Sequence, residues 1–126
     1  MNHTRAPILK LGDTLIASVQ EALMDADLVG LRDELVAKVK LHRATAVIID
    51  VTILDVLDSF AARTLRHIAQ MTQLLGARTV IVGIQPEVAF AMVQLGLTLE
   101  GTDTALDLEH ALALLDLKVG RDHRAQ

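Results

Sequence analysis

The chain has 126 residues, no cysteine, a formal net charge of −4 and just two aromatic residues, Phe60 and Phe90. That length suits one domain spanning residues 1–126, and a domain of this size hides roughly two-thirds of the surface its unfolded chain exposes. The missing cysteines exclude disulfides, thiolate nucleophiles and cysteine-ligated metal centres and agree with a reducing compartment, while the acidic balance and the two phenylalanines argue against a nucleic-acid partner.

No apolar run approaches the roughly 18 residues that span a bilayer, so no membrane association is expected and the location predicted is cytoplasmic. The polar ends, residues 1–6 and 120–126, are expected to be flexible tails. In between, Ile8-Leu9-Lys10-Leu11 and Thr14-Leu15-Ile16-Ala17-Ser18-Val19 flank Gly12-Asp13. Glycine first in a two-residue turn is the mark of a type II′ hairpin.

Asp25 or Asp27 can cap a helix running to about Arg43, with Leu28, Leu31, Leu35 and Val39 on its inner stripe and Arg32, Asp33, Lys38 and Lys40 outward. Ala46-Val47-Ile48-Ile49-Asp50-Val51 is a continuous apolar run rich in β-branched residues, as in a strand covered on both faces. Asp58-Ser59 starts the next helix, with Ala61, Leu65, Ile68, Thr72 and Leu75 inward and Gly76 as its stop. Arg78 to Ile84 forms a second buried strand, and Pro86 opens a helix carrying Val88, Ala89, Met92, Val93 and Leu95 up to Gly96.

Thr98-Leu99-Glu100 is predicted as a short strand, and Thr104 with Asp107 as the capping box of a last helix that turns Leu108, Ala111, Leu112 and Leu115 inward. The order ββαβαβαβα implies an α/β domain: a mixed, mostly parallel sheet with an antiparallel N-terminal hairpin and about four helices.

No phosphate loop or dinucleotide fingerprint is present, and His3, His42, His67, His110 and His123 are too scattered for metal ligation, so no cofactor and no metal are expected. Arg63, Arg66, His67 and Arg78 form either a small basic patch or ordinary solvated helix surface. Asp50, Asp55 and Asp58 fall at or beyond the carboxyl end of a central strand, where open α/β sheets place ligands. Each also has a structural role open to it: Asp58 as a cap, Asp55 as a loop brace, Asp50 as a strand end. Ser59 is open to the same two readings, a capping hydroxyl or a switch residue whose phosphate the helix start would accept. Asp50 could serve a receiver-like phosphoacceptor, but the acidic pair and late lysine of that chemistry are represented by Asp13 alone and by Lys118 after the last helix.

Four segments carry a resemblance: Pro7-Ile8-Leu9-Lys10-Leu11; Val47-Ile48-Ile49-Asp50-Val51 with Leu57-Asp58-Ser59-Phe60; Gly83-Ile84-Gln85-Pro86; and Thr104-Ala105-Leu106-Asp107-Leu108-Glu109. Over nearly its whole length the chain resembles the STAS-domain antagonists of the bacterial stressosome, most closely their RsbS branch. The resemblance implies a non-catalytic scaffold phosphorylated on Ser59, with Asp55, Asp58, Ser59 and Phe60 forming the switch loop and partner-binding surface. It also implies an RsbR-type paralogue, an RsbT-like serine kinase and an RsbX-like phosphatase as partners, with a homodimer inside a larger assembly. Larger paralogues carry a phosphorylatable threonine where this chain has Val82, so Val82 is expected only to pack. A SpoIIAA-like anti-anti-sigma factor, binding an anti-sigma factor directly, is the nearest alternative.

Overall fold

The computed structural model describes residues 6–124, with side chains described as far as residue 116. The elements run β1 (Ile8–Leu11), β2 (Thr14–Ser18), α1 (Asp25–His42), β3 (Ala46–Asp50), α2 (Ser59–Leu74), β4 (Arg78–Val82), α3 (Pro86–Gln94), β5 (Asp103–Ala105) and α4 (Leu108–Arg124). The sheet order is β1-β2-β3-β4-β5, antiparallel between β1 and β2 and parallel thereafter. Gly12 at φ 59° makes the turn that folds β1 onto β2, as the Gly-Asp pair predicts.

Alternation along the strands divides the interior into two layers. Leu15 and Ala17 of β2, Val47 and Ile49 of β3 and Ile81 of β4 face α1, α2 and α3, where they meet Leu28, Leu31, Leu35 and Val39 of α1, Ala61, Ala62, Leu65 and Ile68 of α2, and Val88 and Met92 of α3. Ile16, Ile48, Val80 and Val82 face the other way and pack with Ala105 and with Ala111 of α4. Val82, wholly buried, therefore packs as expected. Burying one such aliphatic side chain contributes about 1.5–3 kcal/mol, so the central strands, covered on both faces, anchor the domain. Thr72 and Thr79, both buried, satisfy each other through a 2.8 Å hydroxyl–hydroxyl bond that fastens α2 to β4.

Several boundaries differ from the sequence expectation, each for a local reason. The strand expected at Thr98-Leu99-Glu100 lies instead at Asp103–Ala105; Leu97 and Leu99 pack against the core, and a turn through Gly101 at φ 85° delivers the chain to the sheet edge. Thr104 is thus a strand residue, and the α4 cap is Asp107, whose carboxylate accepts from the His110 N–H at 2.8 Å while His110 Nδ1 accepts from the Leu106 N–H at 3.0 Å. Leu75 is 45% exposed because α2 ends one residue earlier. Met24, not Asp25 or Asp27, is the N-cap of α1, and its N–H donates to Asp27. On α3, Val93 and Leu95 are exposed, leaving Val88 and Met92 as its buried stripe.

Of the stretches expected to be tails, residues 1–5 and 125–126 lie outside the described residues. Ala6 is buried, and the backbone of residues 120–124 continues α4, so Lys118 falls within that helix rather than after it. No helix among the described residues is long and apolar enough to cross a membrane.

Candidate functional site

The β3–α2 connection leaves the carboxyl end of the sheet beside β2 and β4. Its first residue, Val51, donates its N–H to Val82 O at 2.9 Å and is buried. Leu54 and Leu57 are also buried, whereas Thr52, Ile53, Asp55, Val56, Asp58 and Ser59 are exposed. The loop is thus pinned by two leucine anchors and presents the residues between them to solvent.

Asp58 is the α2 N-cap, its carboxylate accepting from the Ala61 N–H at 2.8 Å. Ser59 is therefore the first helical residue and not the cap. Its side chain is exposed and makes no hydrogen bond to another described residue. Between the two sequence readings of Ser59, the capping one is removed by its neighbour.

Asp55 and Asp58 share the lining of an open groove of about 470 Å³ with Asp25 and the apolar residues Leu23, Leu28, Ile53 and Val56. The groove lies between the β2–α1 and β3–α2 connections, so its second wall comes from a segment the sequence motifs do not single out. Its floor is aliphatic and its charged side chains are all acidic. Asp55 has no hydrogen-bonded partner among the described residues, so it does not brace the loop. Phe60 is half-buried and packs against the main core, which ties the helix start to the domain and leaves only part of the residue exposed.

Asp50 ends β3 and is committed locally: its Oδ1 accepts from the Thr52 N–H at 2.9 Å and from the Thr52 hydroxyl at 2.6 Å. Thr52 O in turn accepts from Gln85 Nε2 at 2.6 Å, joining the loop to the residue that precedes α3. Gly83, at φ 83°, makes room for this: a Cβ there would stand 1.9 Å from Thr52 Oγ1. Thr52 and Gln85 are the residues that sequence reasoning missed; Gln85 lies inside the Gly-Ile-Gln-Pro segment but carries no local signal of its contact.

The basic residues of α2 and β4 do not form one patch. Arg66 donates to Thr98 O at 3.2 Å and Arg78 pairs with Asp103, leaving Arg63 and His67 on the exposed face of α2. His3 and the His123 side chain lie outside the described residues, and no group of three His, Asp or Glu side chains able to hold a metal occurs among those described.

Comparison with known proteins fits this geometry. Residues 5–111 match the STAS domain family. The fold superposes on a serine-to-glutamate variant of RsbS from Moorella thermoacetica with a TM-score of 0.79, 33% identity, and coverage of 93% of this chain and 98% of that one. A chain from a structure of the stressosome, described as a signal integration and transduction hub, gives a TM-score of 0.77 and 34% identity over 90% of this chain and 98% of the other. SpoIIAA in its unphosphorylated form, an anti-sigma factor antagonist, shares the fold at a TM-score of 0.71 and 15% identity, covering 88% of this chain and 96% of its own. Among curated sequences, the RsbT co-antagonist protein RsbRC of Bacillus subtilis is 31% identical over 119 residues, which is 90% of this chain and 40% of that protein. RsbRA of the same organism is 33% identical over 82 residues, 62% of this chain and 30% of its own length, so the chain spans well under half of these curated relatives. The chain belongs to the STAS domain family, in the branch of the stressosome antagonists.

Proposed function

We propose that this protein is a non-catalytic cytoplasmic scaffold that assembles with RsbR-type paralogues, sequesters an RsbT-like serine kinase, and releases that kinase when Ser59 is phosphorylated. An RsbX-like phosphatase would reset the serine, and the chain would act as a homodimer within the larger assembly. The observation that carries the reading is Ser59 itself: exposed, unbonded, and first in a helix already capped by Asp58. A phosphate placed there meets unpaired amides and the positive end of the helix dipole without displacing a structural hydrogen bond.

The same position explains how one modification could end a contact. A phosphoserine carries about −1.5 to −2 charges at neutral pH and must be desolvated to remain in an interface. A kinase that has just transferred its phosphoryl group still holds a nucleoside diphosphate opposite the new phosphate, so like charges face each other. The groove lined by Ile53, Val56, Asp55 and Asp58, the last of these the chain neighbour of Ser59, is the surface we assign to the partner.

The experiment is intact mass and peptide mapping after incubation with ATP and an RsbT-like kinase from the same genome, with Ser59→Ala as control. One phosphate at Ser59, absent from the variant, is expected; phosphate elsewhere or none removes the mechanism. Co-purification with an RsbR-type paralogue separates this reading from direct capture of an anti-sigma factor, which would leave that paralogue behind.

A further inference from the structure

We propose that Thr52 and Gln85 are positioning residues for Ser59 phosphorylation, forming a polar latch that holds the β3–α2 loop in the shape the kinase must recognise. The inference rests on Ser59 being the phosphoacceptor, and it adds residues on two separate elements that act on Ser59 only through the loop.

Between Asp50 and Asp58 the chain has no regular backbone ladder, and just two side chains, Leu54 and Leu57, hold its middle to the core. Apolar anchors fix where a loop sits, and beyond the one turn closed by the Leu54 N–H on Val51 O at 2.9 Å they leave its carbonyls and amides free to turn. The polar contacts at its start fix the orientation of the first of these peptides, at Thr52. Asp50 Oδ1 receives both the N–H and the hydroxyl of Thr52, which sets the turn immediately after β3. Gln85 Nε2 then holds the outward carbonyl of the same residue at 2.6 Å, from a position 33 residues away. The Thr52 side chain fits because residue 83 has no Cβ. Three segments, the end of β3, the β4–α3 turn and the switch loop, thereby meet at one threonine.

The latch is solvent-facing, so its bonds exchange readily with water and their loss need not unfold the domain. What changes is the fraction of molecules whose loop is ready for the kinase. When only a fraction of a protein is competent, apparent affinity falls in proportion while the chemistry of the bound complex is retained. A positioning role therefore predicts a rise in KM for the protein substrate with kcat preserved, whereas damage to the phosphoacceptor itself would remove kcat.

The test uses the full chain and its variants Thr52→Ala, Thr52→Ser, Gln85→Met and the double variant Thr52→Ala/Gln85→Met, with two readouts: amide hydrogen exchange along residues 51–58 and steady-state kinetics of Ser59 phosphorylation by the RsbT-like kinase. Loss of either latch partner is expected to raise exchange in the loop and KM by about 3- to 10-fold, with kcat held within about twofold, on the usual net worth of one or two hydrogen bonds. Thr52→Ser, which keeps the hydroxyl, should restore both, and β3 exchange should stay at its wild-type rate throughout. Unchanged loop exchange in Gln85→Met, or a Thr52→Ser variant as defective as Thr52→Ala, overturns the latch. A wild-type chain that accepts no phosphate at Ser59 overturns the phosphoacceptor reading and with it the role in phosphorylation, and the exchange data then decide whether the latch orders the loop.

Discussion

Replacing Gly83 with alanine should destabilise the domain through two separable effects. At φ 83° an alanine pays the cost of left-handed backbone, about 1–2 kcal/mol. Its Cβ would also lie 1.9 Å from Thr52 Oγ1 and 3.1 Å from Thr52 Cα. Rotating the hydroxyl away breaks its bond to the Asp50 carboxylate, and hydrogen bonds to charged groups contribute about 1.5–3 kcal/mol. Together the substitution should cost about 2.5–5 kcal/mol, a large share of the roughly 5–15 kcal/mol that holds a domain together. For a chain this long each kcal/mol lowers the melting temperature by about 4 °C, which predicts a fall of about 10–20 °C. Urea titration followed by circular dichroism gives the free energy directly, and an unchanged slope would show that the unfolded ensemble is not what moved. In a Thr52→Ala background there is no hydroxyl to displace and only the tight 3.0 Å approach to the residue-52 Cβ remains, so the cost of Gly83→Ala should shrink towards its backbone part, leaving a coupling of about 1.5–3 kcal/mol. Equal costs in both backgrounds, or a cost below about 0.5 kcal/mol in the wild type, would refute the close-approach argument.

Asp58→Ala should cost about 0.5–2 kcal/mol by thermal melting, and Asp58→Asn far less, because asparagine keeps an oxygen for the Ala61 N–H; equal losses would deny the cap. Thr72→Val should cost about 1–3 kcal/mol by stranding the buried Thr79 hydroxyl, and adding Thr79→Val should recover part of the loss in a double-mutant cycle. Ser59→Ala and Ser59→Asp should both unfold within about 0.5 kcal/mol of the wild type, since the side chain is exposed and unbonded. Binding to an RsbT-like kinase, followed by calorimetry, should persist in Ser59→Ala and weaken in Ser59→Asp; identical affinities would take the switch away from this serine.

How far the sequence discloses this molecule depends on the range of each contact. The apolar runs around Val47-Ile48-Ile49 and Val80-Ile81-Val82 carry their own signature, because a strand buried on both faces must be apolar throughout. The hairpin turn and the α2 start are likewise local, resting on Gly12 and on Asp58 three residues before the N–H it binds. Strand composition favours Thr98-Leu99-Glu100 over the true β5, where Asp103 is held at the edge by Arg78, a partner 25 residues earlier. For the candidate site, the placement of Asp55, Asp58 and Ser59 just after β3 was legible in the sequence. The opposite groove wall at Leu23 and Asp25, and the Gln85–Thr52 bond, were not, because only the folded sheet brings those connections together. Phe60 was legible as a neighbour of the serine but not as a residue shared with the core.

If Ser59 is phosphorylated as proposed, the exposure of its surroundings would let the phosphate act as a signal without acting as a denaturant. The groups that define the fold, the two aliphatic layers and the Thr72–Thr79 pair, are closed to solvent, and even where the main layer comes near Ser59, at Leu57 and Ala61, the serine side chain itself points to exposed surface and bonds none of them. The groups nearest the serine, Asp55 and Asp58, are exposed, so a new charge beside them is opposed only through water and ions, which screen it over about 8 Å at physiological salt. The α2 amides partly offset that repulsion from the other side. A partner seated on the groove alters these conditions, because covering Ile53, Val56 and the two aspartates removes the water that made the charge tolerable. On the proposed mechanism the same phosphate would therefore be nearly neutral for the isolated chain and strongly unfavourable for the complex. It follows that the phosphorylated protein should melt close to the temperature of the unmodified one while its kinase contact is lost, and a large fall in melting temperature on phosphorylation would mean that the switch works by loosening the fold instead.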